Sequence, residues 1–172
     1  MSLDEGISRF IGRLYEAAYD ADAWRSAVKE LMQRTGSRIG LISSLDLRER
    51  EFSKTLFFAP EDSSVDTGIR EYTDGFQASD PSLVWASEHP FAGICETEAI
   101  IPRSDYLDHP FIKWIRSRFG TTHWRVLYTQ PADDFSFALS LHPPAETGPP
   151  SKDLLPLHRL LFEHMERALR LA

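Results

Sequence analysis

The chain has 172 residues and a mass of 19.6 kDa, the size of a single domain with one core. Its hydrophobic content of 42% and aromatic content of 12% exclude a disordered chain. The formal net charge of -7 repels a polyanion, so we expect this chain not to bind duplex DNA.

The cysteine count and the hydropathy of the chain indicate the cellular compartment in which we expect the protein. Cys95 is the only cysteine, which excludes an intrachain disulfide and any thiolate cluster that would hold zinc or iron. No apolar run approaches the roughly 18 residues of a membrane span, and the N-terminus lacks the profile of a signal peptide. We therefore expect a cytoplasmic protein without membrane contact.

Two helices are predicted at the N-terminus. Apolar residues between Leu3 and Ala18 recur at three- and four-residue steps, which indicates an amphipathic helix over about 3–19. Asp20 offers an N-cap to a second amphipathic helix, and Gly36 offers a C-cap.

Strand-like runs and helical spacings alternate through the middle of the chain. Residues 39–47 and 52–58 are predicted to form a hairpin across a charged segment. Helical spacing follows over 61–77, and Asp80-Pro81 then begins a short helix, because proline is favoured in a first turn. A further strand is predicted over 95–101.

The C-terminal part repeats this alternation. A helix opened at Asp108 and ended by Gly120 precedes a second hairpin, formed by 121–130 and 135–142. Ser151 then caps a leucine-rich helix that runs to the last residue. This order predicts an α+β fold with a five-stranded, mostly antiparallel sheet flanked by helices and with long terminal helices.

Catalytic and metal-binding patterns are not evident. The common nucleotide, hydrolase and zinc-protease motifs are absent. Cys95 lies within a predicted strand, which indicates a buried apolar residue, and the acidic residues of 105–109 are what a helix start demands. His158 and His164 lie about 240° apart on one helix and cannot share a metal, so surface or interface roles are expected. We predict no catalytic residue, metal or cofactor.

Aromatic residues indicate a different kind of site. They lie on elements that would bracket one face of the sheet, and small-molecule cavities are apolar and aromatic with a few polar groups. The predicted ligand-binding residues are Tyr72, Phe76, Asp80, Trp85, Trp114 and Trp124. Thr122 and Arg125 are further candidates for polar contacts. The alternative is that the same side chains fill an ordinary core.

Several stretches, in this order, resemble the N-terminal sensory domain of LuxR-type helix-turn-helix transcriptional regulators. The stretches are Phe10–Ala18 with Trp24, Glu71-Tyr72 before Ala78–Pro81, Ile101–Arg103, Ala138–His142 and Leu160–Ala168. The resemblance covers nearly the whole chain. It implies a single PAS/GAF-like sensory domain over residues 1–172, and a DNA-binding domain that would follow it and is absent from this chain.

The resemblance also bears on the ligand. Members of the family that bind acyl-homoserine lactones carry a tryptophan and a tyrosine one helical turn apart before an Asp-Pro. This chain has Asp80-Pro81 but no tryptophan in the helix before it. Asp80 is therefore carried over as a polar anchor, and Tyr72 and Trp85 as walls of the cavity.

The leading hypothesis is a sensory domain that binds a small-molecule or protein signal and relays it through its terminal helices. A ligand-free dimerisation or interaction module is the alternative, and an enzyme is a third hypothesis. A deep cavity favours the first, whereas a packed sheet face favours the second.

Self-association is predicted through the terminal helices. The residues of the expected seam on the last helix are Leu154, Leu157, Leu161, Ala168 and Leu171, with His164 taking one turn. Leu160 and Met165 are placed on other faces of that helix. The seam predicts a homodimer; the alternative is that the first helix covers these leucines within one monomer.

Overall fold

The structure is a computed structural model that describes residues 3–46, 48–49, 51–58, 65–88, 93–102, 104–132 and 135–171. The α+β class predicted from the sequence is confirmed. Within the described residues, no helix combines the length and apolar character needed to cross a membrane.

Two helices begin the chain, α1 (Leu3–Ala17) and α2 (Ala21–Thr35). The Asp20 side chain accepts a hydrogen bond from the backbone N–H of Asp22 at 2.9 Å, and Gly36 ends α2 with a φ of 63°. Both predicted caps are thus confirmed, and glycine suits the second because a left-handed φ strains other residues.

One antiparallel sheet lies at the centre of the molecule. Its strands are β1 (Ile39–Asp46), β2 (Glu51–Phe58), β3 (Gly93–Glu96), β4 (Arg125–Ala132) and β5 (Phe135–His142). The spatial order is β2-β1-β5-β4-β3, so the two hairpins predicted from the sequence lie side by side. Their pairing confirms both hairpins.

The remaining helices connect these strands. They are α3 (Val65–Glu71), α4 (Pro81–Glu88), α5 (Thr97–Ile100), α6 (Pro110–Phe119) and α7 (Leu155–Leu171). The helix predicted over 61–77 is only partly α-helical, because a π-helix (Tyr72–Phe76) and a 3-10 turn (Gln77–Ser79) follow α3. Residues 61–64 of that prediction lie outside the described part of the chain.

Three predicted boundaries need correction. The strand predicted over 95–101 ends at Glu96, and β4 begins at Arg125 rather than at 121. Both follow from Thr97, whose side-chain oxygen bonds the backbone N–H and C=O of Trp124 at 2.9 and 3.0 Å and replaces further strand pairing. The cap of α6 is His109, which accepts from the N–H of Phe111.

Two apolar cores lie on opposite faces of the sheet. The first packs α1, α2 and α7 against the side chains of Leu127, Leu139 and Leu141. The second packs α4 and α6 against Val126 and Tyr128. Successive side chains of a strand point to opposite faces, so β4 and β5 contribute to both cores.

Two of the five residues of the predicted seam are buried within the monomer, whereas Leu154 and Leu157 are half-buried and Leu171 is exposed. Leu161 and Ala168 are 2% and 0% exposed, and they pack in the core that α1 closes. Met165, which was placed on another face, is 2% exposed in the same core. These three side chains are therefore covered within the monomer, and Leu161 is unavailable to a second copy of the chain.

Candidate functional site

A cavity of about 140 Å³ lies between the sheet and the helices of the second core. Its floor is the sheet face that carries Val126, Tyr128, Ser140 and His142. Its walls are formed by the segment from α3 to α4 and by α6. The cavity expected from the aromatic pattern is therefore present, and most of its surface is apolar.

Aromatic stacking builds the helical wall. The ring of Trp114 stacks on Phe76 with centroids 4.6 Å apart and on Tyr72 at 6.1 Å. The indole N–H of Trp114 donates to Glu71 at 3.0 Å, so this polar edge is already satisfied by the protein. Trp114 thus offers the cavity an apolar surface.

Asp80 is the buried acid of the cavity. One carboxylate oxygen accepts from the backbone N–H of Ser82 at 2.8 Å, which caps α4, and the other accepts from the Tyr72 hydroxyl at 3.0 Å. Burial raises the pKa of Asp80 to about 6, although these hydrogen bonds act in the opposite direction. Burial and the neighbouring Asp80 raise the pKa of the Tyr72 hydroxyl, which remains a donor.

The sheet floor carries a second polar pair. His142 Nε2 lies 2.8 Å from Ser140 Oγ, and the His142 ring stacks on Trp124 at 5.3 Å. Burial lowers the pKa of His142 to about 3, so the ring is neutral at physiological pH. Its Nδ1 is buried and has no hydrogen-bond partner among the described residues.

Four of the six predicted residues line the cavity: Tyr72, Asp80, Trp114 and Trp124. Phe76 lies behind Trp114, against which it stacks. Trp85 is half-buried and packs in the same core without lining the cavity. The reason is helical phase, because Leu83 and Ala86 of α4 face the cavity and Trp85 points to a different side. Whether these residues bind a ligand stays a prediction.

Sequence reasoning missed other residues of the site. His142 and Ser140 were not predicted, although the run Ala138–His142 carried the signal: its leucines alternate with small or polar residues. Gly68 in α3 was also missed. A Cβ at this position would collide with the ring of Phe119, so only glycine lets α3 approach α6 this closely.

Arg125 lies on the opposite face of the sheet, which overturns its predicted place in the cavity. Its guanidinium donates to Glu96 through Nε and Nη2, to the carbonyls of Pro150 and Ser151, and to His158 Nδ1 at 2.8 Å. All five N–H groups therefore have acceptors. The cluster ties α7 to β3 and to the loop before α7.

His158 is buried, contrary to the predicted surface or interface role. It is 1% exposed, and because Arg125 donates to Nδ1, the proton of the neutral ring lies on Nε2. Burial and the adjacent guanidinium lower the pKa of His158 to about 4. This histidine is part of the connection between α7 and the sheet.

Among the described residues, no group of three potential ligands could hold a metal ion. Cys95 is buried, and desolvation raises the pKa of its thiol to about 11, which disfavours the nucleophilic thiolate. Asp108, by contrast, is exposed and pairs with Lys113 at 2.9 Å.

The fold is that of the ligand-binding domains of LuxR-type regulators. No family model and no curated protein sequence matches the chain, but solved structures do. The ligand-binding domain of VqsR from Pseudomonas aeruginosa aligns with a TM-score of 0.72 at 17% identity, over 95% of this chain and 94% of that chain.

Two further structures support the same fold. CepR2 from Burkholderia cenocepacia, an N-acylhomoserine lactone dependent LuxR family transcription factor, aligns with a TM-score of 0.66 at 14% identity, over 95% of this chain and 93% of that one. SdiA from Escherichia coli, also solved in complex with octanoyl-rac-glycerol, aligns with a TM-score of 0.66 at 16% identity, over 98% of this chain and 68% of SdiA.

Proposed function

We propose that this chain is the signal-sensing domain of a LuxR-type transcriptional regulator and binds a neutral small molecule in the cavity described above. The observation that carries the proposal is Asp80, a buried carboxylate on the wall of a mostly apolar cavity. A buried charge is costly unless it is bonded, and Asp80 accepts from the N–H groups of Ser82 and Leu83 and from the Tyr72 hydroxyl. A donor group of a ligand would share an oxygen with these groups or replace one of them.

The chemistry of the site defines the ligand class. A hydroxyl or amide N–H can donate to Asp80, whereas a carboxylate would be repelled by it at neutral pH. The aromatic wall at Trp114 suits an apolar body. The cavity favours sensing over the ligand-free module, because a filled core leaves no such space.

The proposal also includes the cellular compartment of the domain and the route by which it passes on its signal. We place the domain in the cytoplasm, assign it no catalytic role, and regard it as PAS/GAF-like. Its signal would pass through the terminal helices to a DNA-binding domain. Support for that route comes from β4, which carries Val126 on the cavity side and Arg125 on the side that holds α7.

Replacing Asp80 by Asn is expected to weaken the binding of neutral ligands about 10-fold or more, because a hydrogen bond to a charged group contributes about 1.5–3 kcal/mol. The probes are 1-octanoyl-rac-glycerol and p-cresol, two neutral hydroxyl compounds of different size. Binding is measured by quenching of tryptophan fluorescence, since Trp114 and Trp124 line the cavity.

The matched control is Asp74→Asn, because Asp74 is exposed on the same wall. This variant should bind both probes as the wild type does. Failure of both probes to bind the wild type would refute the proposed function. So would equal binding by Asp80→Asn.

A homodimer through the terminal helices also stays a proposal, and its contact would have to use the exposed side of α7. Leu160 is 39% exposed and Leu171 is 55% exposed. Leu160→Glu should dissociate such a dimer without unfolding it, as seen by sedimentation at tens of micromolar. Leu161→Glu should instead unfold the domain, because it buries a charge. A wild type that sediments as a monomer would end this proposal.

A further inference from the structure

Ser43 gives the floor of the cavity a hydroxyl group that the protein itself does not use. It lies on β1, lines the cavity and is 2% exposed. Its hydroxyl makes no hydrogen bond among the described residues, yet Ser43 Oγ is not one of the enclosed polar atoms without a partner, as His142 Nδ1 is. Ser43 Oγ therefore keeps accessible surface, and that surface faces the cavity.

The other polar side chains of the described lining are bonded, with one exception. The two tyrosine hydroxyls, the two indole N–H groups and the Thr73 hydroxyl donate to protein groups. Asp80 accepts from three donors, Ser82 Oγ accepts from an indole, and the serine and histidine of β5 bond each other. The exception is Gln77 on the wall, which is half-buried. Ser43 is the more buried of the two free groups, so an unmade hydrogen bond costs more there.

Little water competes for the Ser43 hydroxyl. Its neighbours on this face of the sheet are Leu41, two residues earlier on β1, and Ala138, its partner on β5, and both are apolar. A buried water needs roughly two to four polar partners, which this part of the floor does not offer. A ligand group that accepts from the hydroxyl therefore satisfies a donor that is otherwise unmet.

Charge and size define the ligand. The described lining contains no lysine or arginine, and His142 is neutral at physiological pH, so a carboxylate finds no cation. The cavity volume of about 140 Å³ is close to the roughly 150 Å³ of an engineered cavity in another protein that binds benzene. One ring with a short substituent therefore fits, and the ring of Trp114 provides a surface for stacking.

We infer that Ser43 is the polar contact of the ligand at the floor of the cavity, where its hydroxyl donates to the carbonyl oxygen of a neutral compound about one ring in size. The inference rests on the proposed function. It adds to that function the residue that recognises the ligand, the group that is recognised and the size of the ligand.

The test compares acetophenone with α-methylstyrene, which has the same shape but carries a methylene group in place of the carbonyl oxygen. Neither compound has a hydrogen-bond donor, so an ionised Asp80 bonds neither of them. Ser43→Ala should weaken the binding of acetophenone on the order of 10-fold, as expected for the loss of one hydrogen bond in a buried site. The same variant should bind α-methylstyrene at least as tightly as the wild type does. Dissociation constants are measured by titration with NMR detection.

Two controls locate the contact at Ser43. Gln77→Met removes the other free polar group of the described lining and should keep the wild-type affinity for acetophenone. Ser43→Ala should unfold at the same urea concentration as the wild type or at a higher one, because it removes a hydroxyl that the fold leaves unbonded. A lower unfolding midpoint for Ser43→Ala, equal changes for both probes, or loss of acetophenone affinity in Gln77→Met would overturn the assignment to Ser43.

A measurement on the wild type avoids any dependence on the variants. The infrared carbonyl band of ¹³C-labelled acetophenone should lie at a lower frequency in the complex than in cyclohexane, because a donated hydrogen bond weakens the C=O bond. A band at the cyclohexane frequency would refute the role of Ser43. Binding of p-cresol or 1-octanoyl-rac-glycerol without binding of acetophenone would also refute that role and leave the proposed function intact. No binding of any probe would refute both.

Discussion

Lowering the pH from 7 to 4.5 is expected to reduce the free energy of unfolding by about 3 kcal/mol through three buried groups. The folded-state pKa values of His142 and His158 are about 3 and 4, below the usual 6.5. At a pH between these values, the two histidines are protonated in the unfolded chain but not in the folded chain. The free energy of unfolding therefore decreases as the pH falls below about 6.5.

Asp80 acts in the opposite direction. Its folded-state pKa of about 6 exceeds the unfolded value of 3.8, so its contribution is present below pH 4 and is lost as the pH rises through 6. Between pH 4 and 6, unfolding leads the two histidines to bind two protons and Asp80 to release one, so the unfolded chain holds one proton more. The net slope is therefore about 1.4 kcal/mol per pH unit.

Urea unfolding at pH 7 and pH 4.5 measures this balance, and two variants move it in opposite directions. His142→Phe should leave a loss well below about 1 kcal/mol, since His158 and Asp80 then nearly cancel. Asp80→Asn should increase the loss to about 5 kcal/mol, because both histidines remain unopposed. Equal stability of the wild type at the two pH values would contradict the assignment.

Replacing Arg125 by Met is expected to destabilise the domain by about 3–5 kcal/mol, because removing one partner of a buried ionic cluster leaves the others unsatisfied. The carbonyls of Pro150 and Ser151 would each lose a donor, as would His158 Nδ1. Arg116→Met is the matched control, since Arg116 is exposed on α6, and it should change stability by no more than about 0.5 kcal/mol.

A triple variant separates loss of charge pairing from loss of packing. Arg125→Met combined with Glu96→Gln and His158→Leu removes every ionisable side chain of the cluster and should recover part of the lost stability, because no buried charge is then left without a partner. The carbonyls of Pro150 and Ser151 still lose their donor. Chemical denaturation measures all of these values. A single Arg125→Met variant as stable as the wild type would show that the cluster contributes little.

The helix ends and hairpins that depend on interactions between residues close in the sequence were predicted correctly. The caps at Asp20 and Gly36 and the stop at Gly120 follow from side-chain hydrogen bonding and left-handed backbone geometry. Alternation and helical spacing likewise located the hairpins and most helices. The strand end predicted at residue 101 was wrong, because the strand stops before Thr97, whose hydroxyl bonds Trp124, 27 residues further along the chain.

The candidate site was predicted only in part, because the lining of the cavity depends on which faces of the helices and of the sheet pack against each other. Helical spacing shows that α4 has a buried side, but not whether Trp85 or Ala86 points at the cavity. Arg125 was predicted as a candidate polar contact of the cavity, yet its position in the alternation of β4 places it on the opposite face. The buried His158 could not be predicted, since its partner is a residue of a different element 33 positions away.

If the proposed function holds, the π-helix at Tyr72–Phe76 and the 3-10 turn at Gln77–Ser79 would affect how fast a ligand exchanges. Neither segment buries a side chain fully, so this part of the cavity wall opens at a lower free energy than the sheet or α7. The hydrogen bond that the Tyr72 hydroxyl donates to Asp80 holds this segment against the rest of the wall. Under the proposed function, a molecule bonded to Asp80 would leave when this segment opens, and its residence time would be set by local opening of a few turns rather than by unfolding of the domain.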